Sequence, residues 1–181
     1  MIDKKTLVII SAVLAVFIIT AAYWFRLDAE RNTTQIREVP QLGREGSTHR
    51  HMSIIVMTPD GIIDFSAPEY QLQSPIVHFE EGNGTYVHKH ATGITLPYLF
   101  ETLGMNLTPD CLTLDGGKSY CTDATNKLYI FINRVQKNDD IPYYELTNHD
   151  KYLITYGNFS DQDIQLQLNS VPNLEGDLES Y

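Results

Sequence analysis

Ile76-Val77-His78-Phe79-Glu80-Glu81-Gly82-Asn83-Gly84-Thr85-Tyr86-Val87-His88-Lys89-His90 is the stretch on which the fold turns. Gly82-Asn83-Gly84 supplies residues that tolerate the backbone angles of a tight turn. The β-branched and aromatic residues on either side favour strands, so 76–81 and 85–90 are expected to pair as a hairpin. Side chains alternate between the two faces of a strand. A turn centred on Asn83 sets His78 opposite His88, and such cross-strand partners have Cβ atoms about 4.5–5.5 Å apart. His78, His88 and His90 then share one face, with Glu80 and Tyr86 at alternate positions on it. The H-x-H spacing also occurs upstream, in His49-Arg50-His51. These residues open an expected strand over 49–58, whose apolar centre is Ile54-Ile55-Val56. Such a neighbouring strand would complete a cluster of four or five imidazoles.

Beyond the hairpin, Pro59-Asp60-Gly61 is a turn that returns the chain as a second strand over 62–65. Thr95 can cap a short helix over 95–103, with Pro97 in its first turn and Gly104 at its end. A second hairpin joins 111–115 to 119–121 through Asp115-Gly116-Gly117-Lys118. Strands are expected over 128–133 and 151–156, the latter ending at Gly157. Ser160-Asp161-Gln162-Asp163 opens a helix to about Asn169, with Ile164, Leu168 and Val171 as its apolar stripe. The fold class is therefore α+β, a mostly antiparallel β-sheet with one or two short helices, preceded by a single N-terminal transmembrane helix.

That last expectation rests on residues 7–25, which contain no charged residue. At about 1.5 Å per residue the run reaches roughly 28 Å, close to the hydrocarbon thickness of a bilayer. Lys4 and Lys5 precede it, and Tyr23 and Trp24 stand where an interfacial aromatic belt belongs. A cleaved signal peptide ending near Thr20-Ala21-Ala22 is the competing reading, but its apolar core would be shorter. The expected organisation is a cytoplasmic tip over 1–6, an anchor over 7–25 and a linker over 26–47. An extracytoplasmic domain over 48–171 and a frayed acidic tail over 172–181 follow. The chain would be a single-pass protein of the cell membrane with its C-terminal domain outside.

The chain has 181 residues and a formal net charge of -10. So negative a surface repels a phosphate backbone, which argues against a nucleic-acid partner. Neutral imidazoles suit zinc, copper, iron and nickel, and a site without thiolate in an oxidising compartment fits copper or zinc. The candidate ligands are His49, His51, His78, His88 and His90. Glu80 is placed to accept a hydrogen bond from one of the rings and so orient it. Five candidates exceed the three protein ligands of a typical catalytic zinc site, so storage, delivery or a structural role fits as well as catalysis. No G-x-S-x-G, P-loop or G-x-G-x-x-G occurs, and no catalytic residue is assigned.

Cys111 and Cys121 are the only cysteines. They bracket the second hairpin symmetrically, which permits a cross-strand disulfide. Without a C-x-x-C spacing, a structural bridge is favoured over a redox pair. Sequons occur at Asn32, Asn83, Asn106 and Asn158, in keeping with export and glycosylation.

Val77-His78-Phe79-Glu80, His88-Lys89-His90-Ala91-Thr92-Gly93 and Leu99-Phe100-Glu101-Thr102-Leu103-Gly104 resemble a family of anchored extracytoplasmic proteins of ammonia-oxidising archaea. Secreted bacterial relatives are similar, with an H-x-H near the domain start and a later H-T-H-D. The run from Leu128-Tyr129-Ile130-Phe131-Ile132-Asn133 to Ile154-Thr155-Tyr156-Gly157 resembles them too, so the likeness covers roughly 48–171. The resemblance implies an archaeal surface location and makes copper more attractive. Some members carry a protein-disulfide isomerase label, which the missing C-x-x-C does not support here. Ala91 stands where the bacterial motif has Asp. Three functions are therefore expected in order: a membrane-anchored histidine metal-binding domain, a non-enzymatic accessory subunit working with other membrane proteins, and a thiol–disulfide oxidoreductase.

Overall fold

The computed structural model describes residues 4–31 and 37–174, which belong to two units meeting at Arg37 and Glu38. The first contains helix α1, Lys4–Arg31. Its side chains at Val13, Leu14, Val16, Phe17, Ile18 and Ile19 are exposed. The side chains of 6–12 and 25, which the expected anchor also needs, lie outside the described residues. Among the described residues no helix is long and apolar enough to cross a membrane. The helix runs on to Arg31, six residues into the segment read as linker, because residues 26–31 contain neither Gly nor Pro to stop it.

The second unit is α+β and mostly antiparallel. In chain order its elements are β1 (Arg50–Thr58), β2 (Gly61–Ile62), β3 (Val77–His78), β4 (Tyr86–Lys89), α2 (Leu96–Thr102) and β5 (Asn106–Leu107). Then come β6 (Cys111–Thr113), β7 (Ser119–Cys121), β8 (Lys127–Ile132), β9 (Val135–Gln136), β10 (Lys151–Gly157) and α3 (Asp161–Ser170). Among the described residues the larger sheet runs β3-β4-β1-β10-β8-β9, with β2 paired to β1, and a smaller sheet runs β5-β6-β7. β1 and β10 pair in parallel, Ser53 against Lys151 through Met57 against Thr155. Both are buried along most of their length, as central parallel strands are. Their even-numbered residues Met52, Ile54, Val56, Tyr152 and Ile154 enter the main core with Leu96, Leu99 and Phe100. On the opposite face Ile55, Leu153 and Phe131 pack under Leu168 and Val171. Each such side chain, fully buried, contributes about 1.5–3 kcal/mol.

Helix α3 starts as expected. The Ser160 hydroxyl accepts from the Asp163 N–H at 3.3 Å, and the Asp163 carboxylate accepts from the Ser160 N–H at 2.9 Å. Thr95 caps α2 through its hydroxyl. The strand expected over 62–65 shrinks to Gly61–Ile62, because Asp64 turns its carboxylate onto the backbone N–H and hydroxyl of Ser66 and ends the pairing.

Two boundaries move. Residues 38–47, read as linker, belong to the domain. The Gly43 N–H donates to the Thr92 carbonyl at 2.9 Å, and the Ser47 hydroxyl accepts from the Thr92 N–H at 3.0 Å. Gly93, at φ +78°, lets the two strands of chain touch, for a Cβ there would meet the Gln41 carbonyl oxygen at 2.0 Å. At the other end, Val171 is buried and the Pro172 carbonyl accepts from Ser53 Oγ at 2.9 Å. The tail expected to fray from 172 is thus tied down through Asn173, whose carbonyl accepts from the Tyr86 hydroxyl at 3.1 Å. Residues 175–181 lie outside the described residues.

Gly93→Ala is expected to detach 38–47, raising amide hydrogen exchange there and lowering urea stability by more than Gly46→Ala does. Gly46 shares the left-handed backbone (φ +76°) but has open space around it, so its substitution carries only the backbone penalty of about 1–2 kcal/mol.

Candidate metal centre

The hairpin register is the expected one. His78 pairs with His88 across β3 and β4, and His51 pairs with His88 across β1 and β4. Alternation then puts His49, His51, His78, His88 and His90 on one face, the face that α3 covers further along. His51 is held at its backbone. Its N–H donates to Asn148 Oδ1 at 2.8 Å, and its carbonyl accepts from the His149 N–H at 2.8 Å. Asp150 secures that loop by accepting from the Tyr144 and Tyr152 hydroxyls, both at 2.8 Å, and from Asn133 Nδ2 at 2.6 Å. Burial beside this carboxylate pushes the Tyr152 phenol well above its ordinary range.

The five rings close a circuit. Ring centres are 4.6 Å apart for His88 and His51, 4.7 Å for His51 and His49, and 4.8 Å for His49 and His90. The circuit continues with 5.0 Å for His90 and His78 and 6.1 Å for His78 and His88. The ligating atoms of His49, His51 and His88 lie within 4.8 Å of one another, so this trio could hold a metal ion. His49 Nε2 and His51 Nε2 are 3.0 Å apart. Two nitrogens at that spacing, each about 2.0–2.1 Å from a shared ion, subtend about 95° at it, within the range of real coordination angles.

Two rings are locked in one tautomer. A carbonyl can only accept, so His78 Nδ1, 2.7 Å from the Ser74 oxygen, carries its proton. His88 Nδ1 faces Glu80 Oε1 at 2.9 Å. In the neutral form of either ring Nε2 is a bare lone pair, the state a metal ligand requires. His78 is 7% exposed, and its Nε2 has no hydrogen-bond partner among the described residues. Glu80 Oε2 lies 3.4 Å from it. In that neutral form a lone pair faces a carboxylate oxygen, an arrangement that a proton or a metal cation relieves.

The electrostatics favour the neutral form of His51, His88 and His90. Burial, then repulsion by His88, His49 and His90, pushes His51 from 6.5 down to about 4, with Glu80 opposing. His88 and His90 are also pushed down, by burial first and by neighbouring imidazoles, again against Glu80. Neutral ligands at physiological pH do not have to lose protons to bind an ion.

The positive charges in the H-x-H motifs stay out of the site. Lys89 points to the opposite face, where its ammonium meets Glu145 at 2.5 Å and the Leu146 carbonyl at 2.6 Å. The sequence reading missed the Ser74 carbonyl and Asn148. A carbonyl leaves no side-chain signature, and Asn148 lies 97 positions from the residue it holds. Tyr86 shares the face as expected but bonds to Asn173, away from the rings.

Cys111 and Cys121 pair across β6 and β7 and are joined in a disulfide. Cys111 spends its own N–H and carbonyl on Thr108, so the pair is a non-hydrogen-bonded one, the close geometry that suits a bridge. Of the sequons, Asn106 and Asn158 are exposed. Asn83 folds its Oδ1 onto Thr85 and Tyr86 to hold the turn, and Asn32 lies outside the described residues. The chain matches no protein-family model, no curated protein and no solved structure.

A depressed imidazole pKa means that the unfolded chain binds more protons between the two values, so stability rises with pH there. In metal-free protein the contribution of His51 is complete above about pH 6.5 and is lost as pH falls towards about 4. Urea unfolding across that window should show this slope, and His51→Gln should flatten it.

Proposed function

We propose that the domain is a metal-binding module for copper or zinc, with His49, His51 and His88 as its principal ligands and His78 and His90 completing the set. The observation that carries the reading is the closed circuit of five imidazoles, with ligating atoms of His49, His51 and His88 within 4.8 Å of one another and the Nδ1 atoms of His78 and His88 held by the Ser74 carbonyl and Glu80. Glu80 acts as the carboxylate that orients a ligating imidazole and raises its basicity. The all-imidazole donor set, with no thiolate among the ring neighbours, suits Cu(II) or Zn(II). Nothing in the arrangement supplies a nucleophile or a paired acid and base, so capture and delivery of the ion fit better than catalysis.

We further propose that α1 anchors this domain at the outer face of a membrane. The uncharged run over 7–25 and the exposed apolar side chains of 13–19 support that reading. The disulfide favours an oxidising compartment. The resemblance to anchored archaeal surface proteins points the same way.

Elemental mass spectrometry on the full chain, purified without a histidine tag, tests the site. Near-stoichiometric copper or zinc is expected, and its loss from a His51→Ala/His88→Ala variant. Glu80→Gln should keep the ion but weaken affinity about 10–100-fold. Wild-type protein that stays metal-free after dialysis against either ion would overturn the reading.

A further inference from the structure

The trio of His49, His51 and His88 leaves two imidazoles and a carboxylate unspent. His78 and His90 stand on the same face, but among the described residues only the trio brings its ligating atoms within 4.8 Å of one another. Three ring nitrogens and a water already make the four ligands that zinc favours. His78 has an anchor of its own, because the Ser74 carbonyl holds its Nδ1 at 2.7 Å.

What His78 faces is Glu80. Its Nε2 is buried, has no hydrogen-bond partner among the described residues, and lies 3.4 Å from Glu80 Oε2. A nitrogen and an oxygen at that spacing, each about 2.0–2.2 Å from one ion, subtend about 110° at it, close to the tetrahedral angle. The other carboxylate oxygen, Oε1, lies 2.9 Å from His88 Nδ1. Glu80 thus reaches the trio with one oxygen and His78 with the other. His90 supplies the remaining donor. Its ring centre is 5.0 Å from that of His78 and 4.8 Å from that of His49. His90 is partly exposed, so its ring has room to turn.

Charge also favours a cation beside His78. Glu80 supplies there the carboxylate that the trio lacks, and Glu45 stands close enough to His90 to act on it through space. The ammonium nearest in sequence, that of Lys89, is spent on Glu145 at the opposite face.

Resting on the reading of the trio as a metal site, we propose that the cluster takes two ions. The first sits on His49, His51 and His88, and the second on His78, Glu80 and His90, with Glu80 joining the two. The second ion is of the same class, copper or zinc, since its donors are imidazole and carboxylate. It binds more weakly, because the first cation repels it. The chain as purified therefore carries one ion, and the second enters on titration. The cluster then has a resident ion and an exchangeable one.

The test is a titration of the full chain, purified without a histidine tag, with copper(II). Equilibrium dialysis with elemental mass spectrometry counts the ions, and electron paramagnetic resonance reads their spacing. Wild type should take two ions per chain. The spectrum of the first should broaden and lose intensity as the second fills, because spins in neighbouring sites couple. His78→Gln and Glu80→Gln should each stop at one ion and keep the isolated spectrum. Glu80 is about one third exposed, so its variant covers the case in which the buried His78 variant fails to fold. Wild type that stops at one ion overturns the inference and leaves the trio standing, a proton then closing the gap between His78 and Glu80. A second ion that both variants retain, or that leaves the first spectrum unchanged, sits elsewhere and overturns it too. A chain that takes no ion overturns the metal site itself, and the inference with it.

Discussion

Everything in the domain hangs on the parallel ladder between β1 and β10. A parallel pair cannot be closed by a tight turn, so the chain between the two strands has to build the rest of the molecule before it returns. That intervening chain supplies β3 and β4 on one side of β1, β8 on the far side of β10, and helix α2 over the main core. Because the ladder is central, both its faces have to be covered. The main core covers one face completely. The second face is covered in part by α3, and what is left over at its amino-terminal end is where the imidazoles stand.

The division of that second face is sharp. Leu168 and Val171 cap Ile55, Leu153 and Phe131. The chain then leaves α3 and crosses the next row of the sheet, where Ser53, Tyr86 and Lys151 bond to Pro172 and Asn173. The row beyond belongs to His51 and His88. A polar strap thus separates an apolar patch from an imidazole patch on one continuous surface. It also explains why His51, 8% exposed, is buried without being surrounded by hydrocarbon. Burial strips water from the rings and favours their neutral form, while Glu80 at the rim and the Ser74 carbonyl behind it fix where the protons sit. Desolvation and orientation come from the same packing.

The alternation of a strand also sorts charge. In Arg50 and Lys89 each H-x-H motif carries a cation between its histidines, which a linear reading would count against a metal site. Period two sends both cations to the opposite face, where Lys89 meets Glu145. An ammonium left unpaired in a core would be strongly destabilising, and the pair removes that penalty rather than adding much stability of its own. The clamp around Asp150 plays a comparable part, gathering two phenols and an amide to stiffen the loop that holds His51.

What the sequence determined by itself is what short-range rules control. Gly82-Asn83-Gly84 set the centre of the hairpin and with it the pairing of His78 with His88, because a turn fixes register and register fixes faces. The symmetric bracket of Cys111 and Cys121, the capping residues Thr95 and Ser160, and Glu80 beside the imidazoles were legible for the same reason. Tertiary structure alone decided the partners: that β1 lies beside β4, that it runs parallel to β10 across nearly a hundred residues, and that Ser74 and Asn148 fix the rings and their strand. It also decided that 38–47 and 172–173 belong to the domain. Those choices depend on which apolar faces can be buried together, and that free energy is shared among residues far apart in the chain, so no local window contains it.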